Sequence, residues 1–484
     1  MSARRLAAVL MAATSLAAAV PATAQPLSSF SMTSPTQDAL AREAYAYSAA
    51  MEAYVFLFPL TMTERERVRR ERLTGPVPNE PAAPINQLGH MTKLATAKGD
   101  IPYSPNNDTV YTGLGLDLTN GPIILHMPEI TDRYASVQVA DAYIENLPYL
   151  YSSRINGGKA INIGFVGPNW TGKLPKGVVL ARMNTNTTSV AIRVAVKDEA
   201  DLAKVLAYQQ QMSVTALADW HGGPSATPPK PPAPKARTAY SGDFSYFRRV
   251  ADLMADNPPP AKHAAMVSMM RRIGLVPGKP FNPDSLDEAT RAGVLRAEKD
   301  GPFVINNIRR ARGVKTATGW TANRGGSDTL DFDYATRAGN ALVGLMGNDP
   351  EEAIYFNNFF DSNGQPLHGG QAYRLHFTAD QLPKTGKQGF WSLTMYDSLR
   401  FQFIDNPINR YELGSRHDLK RNADGSVDVL VQPTAPGGDL DRNWLPSPKA
   451  GDFKLTIRIY DPTPALVAAY KTSNLLMPVI TPAK

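Results

Sequence analysis

The chain has 484 residues, 43% of them hydrophobic, with 51 Lys and Arg against 44 Asp and Glu and a formal charge of +7. That mild excess is spread along the sequence. It argues against nucleic acid as a partner and only weakly for anionic surfaces or ligands. There are no cysteines, which excludes disulfides, thiol catalysis, thiolate metal sites and a lipid-modified cysteine.

The first residues read as a secretory signal peptide. Arg4 and Arg5 form a positive n-region, Leu6 to Val20 an apolar Ala-rich run, and Ala22-Thr23-Ala24 a small-residue cleavage site before Gln25. The run is shorter than the roughly twenty apolar residues a membrane span needs. Residues 1–24 therefore predict export, a periplasmic or secreted location and no transmembrane anchor after cleavage. Ala7 and Ala8 fit general secretion better than the twin-arginine route, which prefers bulky apolar residues there. A chain of this length can bury sizeable cores and needs no disulfides to do so.

Ser34-Pro35-Thr36-Gln37 reads as a helix start, with Ser34 as N-cap, Pro35 in the first turn and Gln37 closing a capping box. Leu40, Ala44, Tyr47, Met51, Val55 and Phe58 then recur at steps of three and four. Pro59 is expected to kink or end this helix, and Glu64 to Arg72 to be a solvated helical extension. A Pro-rich connection follows over 75–84. From Thr109, short Val-, Ile-, Leu- and Tyr-rich segments alternate with Asn, Gly and Pro turns, as at Ile123–Met127, Ser136–Val139 and Ser189–Val194. Such spacing predicts an antiparallel sandwich or barrel. Asp198 to Trp220 returns to helical spacing.

Pro224 to Pro234 predicts an extended, solvent-exposed linker. Helices are expected over Phe244–Ala255, around Met266, Met269, Met270 and Ile273, and from Ser285, where Ser285 and Glu288 suggest a second capping box. Helical spacing makes the Met cluster ordinary core. Trp391–Tyr396 alternates as a strand. In Phe453–Tyr460, Phe453, Leu455, Ile457 and Ile459 alternate with Lys454, Thr456, Arg458 and Tyr460, which predicts one buried face. Asn422–Ser426 reads as a hairpin turn.

Strong catalytic signatures are missing: no Gly-x-Ser-x-Gly elbow, phosphate loop, dinucleotide fingerprint or His-Glu-x-x-His. The seven histidines are scattered; His126, His368 and His376 fall in or beside expected strands. Asp361-Ser362-Asn363-Gly364 and Asn422-Ala423-Asp424-Gly425 resemble fragments of calcium loops but lack the closing Glu, so both read as turns. The densest polar cluster is Pro105-Asn106-Asn107-Asp108-Thr109-Val110-Tyr111. One reading is a structured loop entering a strand, because Asn and Asp bond their own backbone in turns. The other is a polar site, with Asp108 as base or metal ligand and Asn106, Asn107 and Tyr111 as hydrogen-bonding groups. Arg133, Tyr134, Asp141 and Tyr143 form a second candidate patch.

Pro105-Asn106-Asn107-Asp108-Thr109 and Asp132-Arg133-Tyr134 resemble the signature of the bacterial domain of unknown function 1254. Gly389–Asp397, Asn406–Tyr411 and Asn443-Trp444-Leu445-Pro446 resemble its usual C-terminal companion, domain of unknown function 1214. The resemblance covers nearly all of the chain beyond the signal peptide; the Pro-rich insert at 224–234 departs from it. It implies a cell-envelope setting and supplies no catalytic residues to carry over.

The expected fold is mainly β. A helix plus β-sandwich domain spans 34–200, a helical segment with the Pro-rich linker 201–335, and a β-domain 336–484 that the resemblance implies is a jelly-roll-like sandwich. The expected function is an exported envelope hydrolase of a small or amphiphilic ester-like substrate. A divalent metal is compatible with that chemistry, as is an oligomer. The site residues would be Asp108, Asn106, Asn107, Tyr111, Arg133 and Tyr143. The alternative is a non-catalytic periplasmic binding or assembly module.

Overall fold

The computed structural model describes residues 34–98, 104–225, 227–311, 313–322, 332–472, 474–475 and 477–483; the expected signal peptide lies outside them. Ser34 caps helix α1 (Pro35–Glu71) as expected. Its hydroxyl accepts from the Gln37 amide at 3.2 Å, and the Gln37 side chain accepts from the Ser34 amide at 3.0 Å. The helix does not end at Pro59 but runs through it for 37 residues. Interior Pro costs about 3 kcal/mol. Phe56, Leu57 and Leu60 flank it at 1% exposure or less, and burying each contributes about 1.5–3 kcal/mol, so packing outweighs the break.

The charged run at the end of α1 is not a solvated extension either. Arg67 is buried and pairs with Asp117 at 3.1 Å and Glu71 at 3.0 Å. Arg70 pairs with Glu66 at 2.8 Å and donates to the carbonyls of Pro81 and Ala83. These contacts fasten α1 to the first sheet.

Six further helices follow among the described residues: α2 (Glu199–Gln209), α3 (Ser245–Asp256), α4 (Ala264–Arg271), α5 (Glu288–Ala311), α6 (Tyr334–Gly344) and α7 (Pro464–Lys471). Helices α1, α3, α4, α5 and α6 share one core, which includes Ala53, Phe56, Phe247, Met266, Met270, Val294 and Ala338. The N-terminal helix therefore belongs to the helical body, and the methionines are core, as read. The cap of α5 is Asp287 rather than Ser285: its carboxylate accepts from the Thr290 amide at 3.2 Å, while Pro283–Ser285 forms a separate 3-10 turn. The helix expected to reach Trp220 stops at Gln209. β-Branched Val214 and Thr215 instead sit in the strand Ser213–Ala216, paired with Ile123–His126.

The architecture is mixed rather than mainly β, 29% helical and 25% strand, because the helices form a body of their own. The N-terminal domain has two four-stranded sheets. The first runs, in spatial order, Leu88–His90, Thr109–Asp117, Thr187–Ala195, Ala135–Asp141; the second runs Val178–Arg182, Ile161–Val166, Ile123–Met127, Ser213–Ala216. Val110, Leu114, Val137 and Ile192 of one share a core with Leu125, Ile163 and Phe165 of the other. In the C-terminal domain a six-stranded sheet (Glu412–Gly414, Thr385–Asp397, Phe453–Pro462, Ala353–Asn358, Thr321–Ala322, Val314–Lys315) meets a four-stranded one (Trp444–Pro446, Val427–Gln432, Ala372–Phe377, Ile480–Ala483). Asn422–Ser426 is a tight turn but not a hairpin. The strand after it pairs with Ala372–Phe377 and, in parallel, with Trp444–Pro446. The Pro-rich segment lies mostly exposed, anchored where the Pro229 carbonyl accepts from Gln87.

One departure creates the site. Phe453–Pro462 was expected to bury a single face, yet Lys454, Thr456, Arg458 and Tyr460 are also buried. Their side of the six-stranded sheet is covered by the first sheet of the N-terminal domain.

Candidate functional site

Two polar sheet faces meet between the domains. On the N-terminal side Tyr111 stands opposite Arg193 in register. On the C-terminal side Arg458 stands between Tyr355 and Ser392, and Thr394 stands between Glu412 and Thr456. Strand alternation gathers these side chains on one face.

The 105–111 cluster lies at this junction. The Asn106 amide donates to Tyr460 Oη at 2.8 Å across the interface, and to Tyr111 Oη at 3.0 Å and Thr109 Oγ1 at 3.2 Å. Its oxygen accepts from the Asp108 amide at 2.6 Å, so the turn reading also holds. Asp108 is 1% exposed. Its carboxylate accepts from Ser392 Oγ and from Arg416 Nη2, each at 2.7 Å, and Arg416 also donates to its carbonyl at 2.9 Å. Asn107 Oδ1 is buried without a hydrogen-bond partner.

Glu412 completes the constellation. Its Oε1 lies 3.5 Å from the same Arg416 nitrogen, and its Oε2 is buried without a partner. Burial, reinforced by the charge of Asp108, pushes its pKa up to about 8. One guanidinium thus bridges two carboxyl groups, and Glu412 keeps its proton at neutral pH. His417 lies 3.8 Å from Glu412. Burial, aided by Arg416, lowers its pKa to about 4, so it is a neutral imidazole at neutral pH.

Two more guanidiniums are buried in the layer. Arg193 donates to Asn348 Oδ1 at 3.1 Å and stacks 5.2 Å from the Tyr111 ring centre, while its Nε is buried without a partner. Asn348 also accepts from Tyr149 Oη and donates to Tyr355 Oη. Arg458 donates to Thr394 Oγ1 at 2.9 Å and Tyr396 Oη at 2.6 Å. Among the described residues neither Arg193 nor Arg458 forms a salt bridge. Burial pushes the Tyr111 phenol up, but Arg193 and the Asn106 hydrogen bond outweigh it and hold the group below its ordinary value.

The second patch does not join this site. Arg133 and Tyr143 flank opposite ends of the seven-residue strand Ala135–Asp141. Arg133 forms ion pairs with Asp201 at 2.6 Å and Asp132 at 3.1 Å. Tyr143 is buried under the helical body, stacked on Phe56 and donating to the Asn257 carbonyl at 2.8 Å. Asp141 accepts from the amides of Tyr143 and Glu145 and from Asn184. Of the histidines, His126, His368 and His376 bond Asn162, Asp452 and Asp428 at separate places. Among the described residues no group of three or more His, Asp or Glu side chains is placed to hold a metal. The Asp108 carboxylate meets Arg416 and Ser392.

Sequence reasoning missed Arg193, Glu412, Arg416 and Arg458. Arg193 carried a signal, since it is the one charge in the strand Thr187–Ala195, whereas Arg458 sat among Lys454 and Thr456 on the polar side of an alternating strand. Glu412 and Arg416 carried none.

The model of the protein family of unknown function DUF1254 matches residues 85–216, and that of DUF1214 matches residues 352–464. Asp108, Tyr111 and Arg193 fall in the first match; Ser392, Glu412, Arg416 and Arg458 fall in the second. The crystal structure of the VPA0106 protein from Vibrio parahaemolyticus is 23% identical over 91% of this chain and 100% of that one, with a TM-score of 0.68, and has a similar fold. A protein of unassigned function from Burkholderia cenocepacia is 13% identical over 92% of this chain and 95% of that one, with a TM-score of 0.43. A comparison with curated proteins finds no significant match.

Proposed function

We propose that this chain, which carries a DUF1254 domain followed by a DUF1214 domain, is an exported cell-envelope enzyme that hydrolyses a small or amphiphilic ester-like substrate between those domains. The observation that carries the reading is the pair of carboxyl groups bridged by Arg416, with the proton resting on Glu412. A buried carboxyl that holds its proton beside a second one that is ion-paired is suited to an acid role opposite a base. Water attacks the acyl carbon and gives its proton to Asp108. The acyl C–O bond breaks, and the leaving oxygen takes the proton of Glu412. Proton transfer from Asp108 to Glu412 through solvent resets the pair. Each carboxylate oxygen has two lone-pair sites, so Asp108 keeps accepting capacity beside Ser392 and Arg416. The tyrosine hydroxyls of the layer are donors for a developing oxyanion.

The export step rests on Arg4, Arg5, the apolar run and Ala22-Thr23-Ala24. Among the described residues no helix is long and apolar enough to cross a membrane. In this reading the two N-terminal sheets form a β-sandwich, and the C-terminal pair a jelly-roll-like one.

A binding or assembly module is the second reading, favoured by the engagement of both Asp108 oxygens. A panel of short- and medium-chain chromogenic esters separates the two. The enzyme reading expects turnover that falls about 10²-fold or more in Glu412→Gln while the protein stays folded. Ester binding without turnover in either protein supports the module.

A further inference from the structure

We infer that the layer between the domains is an anion site, in which Arg193 and Arg458 together hold a carboxylate group of the ligand. The inference deepens the hydrolase reading by naming the charge of its substrate, and it stands on charge balance. Asp108 is matched by Arg416, and Glu412 sits beside that pair. Glu352, which borders the layer, answers to Arg154 at 3.7 Å, and Asp349, only partly buried, accepts from the neutral Asn146 amide at 2.8 Å. Arg193 and Arg458, 6% and 5% exposed, are left with neutral partners: Asn348, Thr394, Tyr396 and the Ser104 carbonyl.

Buried charges are ordinarily paired, because an unpaired one gives up its hydration for nothing. The donor geometry names the missing partner. Arg193 Nε is buried without an acceptor, and a guanidinium presents its donors as a planar fork that matches the two oxygens of a carboxylate. Tyr111 and Tyr355 stand on the facing sheets next to the two arginines. Both lie deep in the protein yet keep accessible surface, as do Asn106, Asn107 and Asn357. The layer is therefore not closed by its own side chains, and polar groups line what remains open.

The test is calorimetric titration and thermal midpoint of the full exported chain with succinate and acetate. Sulfate and phosphate serve as the inorganic arm, and chloride at matched ionic strength as the background. The expected result is saturable binding of a carboxylate with a raised midpoint. Affinity should fall at least tenfold in Arg193→Lys, which keeps the charge and loses the fork, and in Arg458→Met. Arg182→Met, on the outer sheet, should bind as the unmodified protein does. Tighter binding of sulfate or phosphate than of either carboxylate overturns the carboxylate assignment. Stabilisation no greater than chloride gives, or unchanged affinity in folded Arg193→Lys and Arg458→Met, overturns the site. If Arg458→Met does not fold, Arg193→Lys decides alone. Carboxylate binding with no ester turnover leaves this inference standing and removes the hydrolase reading.

Discussion

Asp108 and Arg416 stand 308 positions apart in the chain and 2.7 Å apart in space. Their ion pair joins the two domains at the polar layer. A solvated catalytic base could be changed to Asn at little cost in stability, but Asp108→Asn takes the charge from a buried carboxylate and leaves the part-buried Arg416 beside a neutral amide. Removing one partner of a buried pair costs about 3–5 kcal/mol, more than the 0.5–2 kcal/mol of a lost capping bond. Urea unfolding should show a loss in that larger range. A double-mutant cycle with Arg416→Met should return much of it as coupling; additive effects would mean that the pair is not made.

Stability should fall as pH rises. Burial is the leading cause that pushes Asp141 up to about 6, Glu352 up to about 7 and Glu412 up to about 8. Each group binds its proton more tightly in the folded chain, so the folded state loses stability from the ordinary carboxylate value up to the raised one. Each contributes a slope of at most about 1.4 kcal/mol per pH unit. His417, lowered to about 4, and His90, lowered by burial, oppose the decline below the ordinary imidazole value of 6.5, so it should be steepest between about pH 6.5 and 7 and should end near pH 8. Glu412→Gln should flatten its upper part. Glu145 has the opposite sign. Although burial opposes it, the hydrogen bond to His263 and the charge of Arg337 hold it near 2, so its contribution is lost only in acid. Thermal midpoints from about pH 2 to 9 check both signs.

The Glu145 cluster should matter for folding and not for chemistry. Its carboxylate meets Arg337 and Lys262 at 2.7 Å and His263 at 2.5 Å, at the junction with the helical body. Glu145→Gln should cost about 3–5 kcal/mol in denaturant unfolding, with turnover per folded molecule retained. Loss of turnover in folded protein would move the site.

Helices α1 and α5 touch through Gly293. A Cβ there would lie 2.3 Å from the Glu43 carbonyl oxygen and 2.8 Å from the Tyr47 amide, both backbone atoms that cannot step aside. Gly293→Ala should therefore destabilise by about 1–3 kcal/mol. Gly344→Ala, with nothing within 4 Å, should be neutral or slightly stabilising. Equal midpoints for the two variants would contradict the close approach.

Local signals were legible in the sequence. The cap at Ser34, the strand at Phe453 and the core methionines all follow from short-range spacing. Alternation also placed Lys454, Thr456, Arg458 and Tyr460 together, but it says only which residues share a face, not what covers it. The cover comes from Asn106, Asp108 and Tyr111, and contacts such as Ser392 to Asp108 span 284 positions. Arg133 and Tyr143 lie away from the polar layer for a related reason: closeness in sequence did not survive a strand that sends its two ends to different neighbours. Pro59 and the charged end of α1 were misread because tertiary packing overrode local preference.

The central claim is that Glu412 donates a proton in the layer between the domains. The most direct test is the pH dependence of kcat/KM for ester hydrolysis, which reports the groups of the free enzyme. The account predicts a rate that is flat near neutrality and falls through an alkaline limb centred at about pH 8, with both the rate and the limb lost in folded Glu412→Gln. A Glu412→Gln protein that turns over at the unmodified rate with the same limb would contradict it.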